Sequence, residues 1–182
     1  QPYLIGELFQ LVQRPIKKPT SLYKSIGIRS HFKGTFQRID YDPAQVDMEL
    51  LYQVKKNDLI VNITFAWEGA LAIAGDDDDG GLVSHRFPTY VNDSSKINID
   101  FFKYLLPNKK LKKILLDISP GGAGRNRVLN KKDFLQIKFN IPTLAEQKHI
   151  ARFLTCIDRK IYLLDTKRFQ LEKYKQAVIQ NL

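Results

Sequence analysis

Four consecutive aspartates, Asp76, Asp77, Asp78 and Asp79, stand between glycines in residues 75–81 (GDDDDGG) and are the first candidates for metal or acid chemistry. A calcium loop spaces its acids as D-x-D-x-D-G with a later glutamate, and that spacing is missing here, so a solvated hairpin tip is expected. Residues 121–127 (GGAGRNR) look at first like a phosphate loop. They lack G-x-x-x-x-G-K-[ST] and do not lie between a strand and a nucleotide-binding helix. Glycines presenting Arg125, Asn126 and Arg127 suit a nucleic acid instead: arginine pairs with guanine O6/N7 or phosphate, and asparagine with adenine N6/N7. The alternative is a solvated basic loop. Lys109, Lys110, Lys112 and Lys113 carry charge without special donor geometry, which fits phosphate oxygens.

His31, His85 and His149 are scattered, and the sole cysteine, Cys156, has no activating base nearby in sequence. It reads as a buried filler or an idle surface thiol. No nucleotide-cofactor loop, no methyltransferase motif and no nuclease-like acid and lysine set is present, so no cofactor, no metal and no catalytic residue is expected.

Net charge is +10 with a pI near 9.6, which favours a polyanionic partner. The charge is uneven: residues 1–39 carry a net +6, 40–100 a net −8, 101–143 a net +8 and 144–182 a net +4. If the two basic blocks fold together, the molecule has a positive face and a negative back. One cysteine allows no internal disulfide, and no secretory signal or membrane-spanning apolar run stands out, so a cytoplasmic protein is expected. The chain begins at Gln1, which reads as a processed chain or a fragment.

The elements that must position these groups can be read in order. Residues 3–12 read as a short helix or entry strand, and 14–23 (RPIKKPTSLY) as an irregular loop. Residues 25–39 alternate as a strand with a turn that carries Arg29, His31 and Lys33. Residues 58–65 (DLIVNITF) read as a buried strand after an Asn-Asp turn, 71–74 and 82–84 as strands flanking the acidic tip, and 89–91 as a continuation of the sheet. Asn98 or Asp100 caps a helix that breaks at Pro107; residues 109–118 form a basic amphipathic helix; Asn130 caps a turn; 134–141 alternate as a strand.

The last forty residues follow a different rule. Thr143 and Glu146 form a capping box after Pro142, and the chain then runs on without proline or glycine. Ile150, Ile157, Leu164, Leu171 and Val178 recur every seven residues, with Leu154, Ile161, Arg168, Lys175 and Leu182 as the companion row. That pattern predicts a coiled-coil helix roughly 58 Å long at about 1.5 Å per residue, which must find a partner.

Residues 142–147 (PTLAEQ) with Ile150, Ala151, Leu154, Ile157, Asp158 and Ile161 resemble the start of the spacer helix in type I restriction–modification specificity subunits. Residues 65–70 (FAWEGA) and 81–88 (GLVSHRFP) look like a recurrent pair of segments in recognition domains of that family. Trp67 and Phe87 are expected in the core. His85 and Arg86 either end a strand or contact DNA. The resemblance implies an α+β fold: a DNA target-recognition domain over 1–141, then a coiled-coil spacer or dimerisation helix over 142–182. It implies double-stranded DNA as ligand, methyltransferase and restriction subunits as the partners that perform catalysis, and a second specificity half or a homodimer through the helix. DNA contact is expected from Arg29, His31, Lys33, His85, Arg86, Lys109, Lys110, Lys112, Lys113, Arg125, Asn126 and Arg127. Helix pairing is expected from Ile150, Leu154, Ile157, Ile161, Leu164, Leu171 and Val178. The alternatives are a fragment of a DNA methyltransferase or nuclease, and a coiled-coil assembly protein with incidental charge.

Overall fold

A computed structural model describes residues 1–121 and 127–180. The strands and helices, in chain order, are β1 (Pro2–Leu4), α1 (Ile5–Leu8), β2 (Phe9–Val12), β3 (Pro15–Lys17), β4 (Tyr23–Ile28), β5 (Thr35–Tyr41), β6 (Leu50–Gln53), β7 (Leu59–Val61), β8 (Leu71–Ile73), β9 (Leu82–Val83), β10 (Thr89–Asn92), α2 (Ile99–Leu105), α3 (Lys109–Asp117), α4 (Lys131–Leu135), β11 (Lys138–Asn140) and α5 (Leu144–Gln180). The fold is α+β with a long C-terminal helix.

Alternation along β7 explains the layering. Leu59 and Val61 face a core built with Phe9, Phe101, Phe102, Leu111, Leu115 and Phe134, whereas Ile60 faces a second core with Ile26, Ile28, Val54 and Val83. The four-stranded sheet β2-β10-β7-β8 is therefore a middle layer, covered by helices on one side and by the five-stranded sheet β3-β6-β9-β4-β5 on the other. A third, two-stranded pairing of β1 with β11 joins the start of the globule to the strand just before α5. Asp58 is buried where β7 begins, and Arg14 neutralises it through two N–H···O bonds of 2.5 and 3.1 Å.

Several expectations change here. Residues 15–17, read as loop, form the edge strand β3 paired with β6, because Pro15 has no N–H to leave unpaired at an edge. The strand expected over 58–65 stops at Val61, where Asn62 turns the chain. The strand expected over 134–141 is half helix: Asn130 caps α4 with its side chain, and only 138–140 pair with β1. The aspartate run is no hairpin tip, since β8 and β9 belong to different sheets. Asp78 is buried and accepts from Thr35 Oγ1 and Gly75 N, both at 2.8 Å, and from Gln37 Nε2. The run thus ties the crossover beneath β5. Lys24 donates to the carbonyls of Asp77 and Asp79, and Lys56 pairs with Asp76 at 2.6 Å. Lys24, from the first basic block, thus lies against the acidic run. Among the described residues no group of three or more His, Cys, Asp or Glu is placed to hold a metal ion, and no helix is long and apolar enough to cross a membrane.

The capping box at the start of α5 forms as read: Thr143 N–H and Oγ1 donate to Glu146 at 2.9 and 2.7 Å, which holds the Glu146 carboxyl below its ordinary value of 4.5. The next residue makes the joint. Gln147 is buried, accepts from Asn98 N at 2.8 Å and donates to the carbonyls of Lys96 and Pro142 at 3.0 Å each. Ala151 packs below it, and Tyr104 on α2 donates to Asp158 at 2.6 Å. Beyond Asp158 the helix leaves the globule with its apolar rows open to solvent: Ile161, Leu164 and Leu171 are 53%, 59% and 57% exposed.

Replacing Gln147 by leucine leaves one partly buried donor and two partly buried acceptors without their partner, so unfolding in urea should show a loss of about 1–3 kcal/mol. Leu144→Ala, at the neighbouring half-buried position, should cost less, and equal losses would assign Gln147 to packing alone.

Candidate nucleic-acid interface

The loop joining β4 to β5 is held in a conformation its residues do not favour. His31 and Phe32 have φ of 62° and 56°, a region that costs roughly 1–2 kcal/mol for a residue with a Cβ. The loop is retained because it docks on the Ala66–Glu68 turn. His31 N–H donates to Glu68 O at 2.9 Å, Phe32 N–H to Gly69 O at 2.8 Å, and Ser30 Oγ to the Glu68 carboxylate at 2.6 Å. Gly69 is required there twice over, by its φ of 82° and by the Phe32 ring, which a Cβ would meet at 2.8 Å.

Helix α3 packs on the other side of the same turn. Asn108 caps it, Leu111 and Leu115 bury one face, and Lys109, Lys112 and Lys113 stand together on another. Lys112 Nζ lies 3.1 Å from His31 Nδ1. An ammonium can only donate, so His31 accepts at Nδ1. The result is a groove of about 450 Å³ lined by His31, Trp67, Glu68, Lys109, Lys112, Lys113 and Leu116. Trp67 is half-exposed, anchored by its Nε1 donating to Thr64 O at 3.1 Å. Arg127 reaches the same ring, 5.9 Å from its centroid, while donating to Ser119 O at 3.3 Å.

The β4–β5 hairpin adds a second cationic and aromatic strip. Phe36 lies directly over Gly27, its register partner, because any Cβ at 27 would collide with the ring. Arg29 and Arg38 stack on Phe36 at 5.2 and 5.6 Å, Arg38 also approaches Tyr41 at 5.6 Å, and Tyr41 meets Tyr23 edge-on.

Basic side chains thus stand beside aromatic rings along both surfaces. The family described as type I restriction modification DNA specificity domain matches residues 2–173. The chain belongs to this family. It is 30% identical over 112 residues to the type I restriction enzyme MjaVIII specificity subunit of Methanocaldococcus jannaschii, a match covering 62% of this chain and 26% of that protein. Its fold is similar to the crystal structure of the HsdS subunit from Thermoanaerobacter tengcongensis, with a TM-score of 0.67 at 15% identity over all of this chain and 47% of that one. The type I S subunit of M. genitalium gives a TM-score of 0.58 at 17% identity, over 91% of this chain and 41% of that one. The chain spans less than half the length of each of these relatives.

Within this specificity-domain fold, the residues singled out from sequence separate. His31, Lys109, Lys112 and Lys113 meet in one groove, and Arg127 joins it through Trp67. Lys110 is exposed and does not line the groove. Arg29 lies on the hairpin strip and Lys33 at the exposed hairpin turn. His85 and Arg86 stand apart: His85 lines a different hollow with Leu11, Tyr52 and Lys131, and its Nδ1 touches Met48 Sδ at 3.2 Å. Arg125 and Asn126 lie outside the described residues. Trp67 corrects an expectation, since it faces the groove rather than the core; Phe87 is partly buried against the inter-sheet core, as expected. Phe36, Arg38, Tyr41 and Glu68 escaped the sequence reading. The usable signal was the pairing of Gly27 with an aromatic across a predicted hairpin. Cys156 is exposed.

Trp67 is the single tryptophan, so it reports on the groove. Arg127→Ala should shift its fluorescence emission while lowering stability by no more than about 1 kcal/mol, the scale of one exposed cation–π contact. Unchanged emission would mean that the Arg127 contact is not kept in solution.

Proposed function

We propose that this chain recognises one part of a split DNA sequence, as one half of a type I specificity subunit. Methyl transfer and cleavage belong to methyltransferase and restriction subunits, and the chain itself contributes recognition and no catalysis. The observation that carries this is the convergence of His31, Lys109, Lys112 and Lys113 beside Trp67, a basic groove with a half-exposed ring. Lys109, Lys112 and Lys113 hold phosphates. Arg29, Arg38 and Arg127 are each braced by an aromatic ring and so present pre-oriented guanidinium groups suited to base edges. Lys33, His85 and Arg86 are further contacts on a longer DNA footprint, and Arg125 and Asn126 on the glycine loop are candidate base readers.

The arm serves assembly. Ile150, Leu154, Ile157, Ile161, Leu164, Leu171 and Val178 form a seam, most of it exposed, that is too apolar to stay solvated, and a second specificity half or a second copy covers it. The globule lies at residues 1–141 and the arm at 142–182. The relatives' greater length fits a subunit that contains two such halves.

Binding to duplex DNA at several salt concentrations tests the first part. Lys109→Ala, Lys112→Ala and Lys113→Ala should each lower the log–log salt slope by about 0.9, and Lys110→Ala should have a smaller effect. Arg38→Ala should instead discriminate between sequences. Slopes insensitive to all four lysines would remove DNA from this groove. For the arm, Leu164→Lys with Leu171→Lys should yield monomers by sedimentation with the globule intact; a dimer that persists would put the interface elsewhere.

A further inference from the structure

One acid stands in the basic groove. Glu68 lines it with Lys109, Lys112 and Lys113, yet among the described residues its carboxylate pairs with none of them. Lys112 turns to His31 Nδ1 instead, at 3.1 Å. Glu68 is half-buried and fixed at both ends. Its carbonyl accepts from His31 N–H at 2.9 Å, and its Oε2 accepts from Ser30 Oγ at 2.6 Å. Oε1 accepts from none of the described residues and is not buried, so it is available to a ligand. A carboxylate here repels the phosphates that the lysines would hold, and so weakens a groove built only to grip backbone.

Its position gives it a different use. Glu68 also lines the hollow of about 810 Å³ next to the groove, whose walls include Phe36 and Arg38. It therefore stands between the lysines suited to phosphates and a ring-braced arginine suited to base edges. In the major groove of a paired duplex the only hydrogen-bond donors are the N6 amine of adenine and the N4 amine of cytosine; guanine O6 and N7 and thymine O4 are acceptors. A carboxylate can only accept. We propose that Glu68 is a specificity-determining residue that accepts from the major-groove amine of one base, cytosine or adenine, within a paired site. This rests on the DNA-recognition reading above and refines it. Every base pair carries the amine on one strand and the carbonyl oxygen on the other, so Glu68 distinguishes the two orientations of one pair. The inverted pair brings O6 or O4 against the carboxylate and is rejected by repulsion. Ser30 acts through Glu68, as a positioning residue that aims the free oxygen.

The test uses the full chain and a pool of random-sequence duplexes, from which the preferred site is selected. Each base pair of that site is then inverted in turn. At one pair, with cytosine or adenine facing Glu68, inversion should weaken binding about tenfold, the scale of one hydrogen bond to a charged group. Glu68→Gln keeps an oxygen for Ser30 and turns an amide N–H towards the base, so the penalty at that pair should vanish while the other pairs keep theirs. The same variant loses a charge that repels phosphates, so its binding to random-sequence duplex should strengthen. Weaker binding of every duplex, with the inversion penalties unchanged, would make Glu68 a structural residue and overturn the proposal. Ser30→Ala, should Glu68→Gln fail to fold, releases the carboxylate and should reduce the penalty at the same single pair. Penalties that survive in both variants at every pair would likewise overturn the proposal and leave DNA recognition standing. A pool that yields no preferred site would overturn the DNA-recognition reading and this proposal with it.

Discussion

One buried glutamine side chain decides how this molecule is put together. Gln147 satisfies three backbone groups, on Lys96, Asn98 and Pro142, that come from the approach to α2 and from the end of β11. Because all three bonds end on one buried side chain, the first turns of α5 have one orientation against the globule. The β1–β11 pairing and the Tyr104 bond to Asp158 brace the same joint from either side. A helix roughly 55 Å long at about 1.5 Å per residue amplifies any looseness at its root, so a fixed joint is what gives the arm a defined direction.

The groove depends on a second constraint, the docking of a strained loop on a turn. His31 and Phe32 remain in the left-handed region because the carbonyls of Glu68 and Gly69 accept their N–H groups and Gly69 leaves room for the Phe32 ring. With α3 on the far side of that turn, three segments distant in sequence present lysines, a histidine and a tryptophan together. The arginines nearby are each braced by a ring, which lowers the entropy lost when they meet a ligand. Buried Asp78 supports the hairpin from below, giving structural work to a run that looked like surface decoration.

How much could be read beforehand follows from the range of the interactions involved. Helices whose caps and periodicity are local were legible: Asn98 and Asn130 cap where expected, and the Thr143 and Glu146 box opens α5. The heptad rows of the arm and the family motif at 142–147 needed only spacing. Short strands were less legible. Residues 134–141 alternate like a strand, yet Asn130 satisfied the first amides of a helix and won.

Tertiary structure alone settled which charges share a surface. Trp67 has the composition of a core residue, and only the arrival of α3 and Arg127 beside it makes it the wall of a groove. The aspartate run has the composition of a solvated tip, and only the switch of β8 and β9 to different sheets buries Asp78 under β5. Sequence by itself determined the helix arm, its capping, its apolar seam and the family, because those are carried by residues a few positions apart. The groove was decided in three dimensions, because its residues come from segments far apart in sequence, and hydrophobic burial chooses which of them meet.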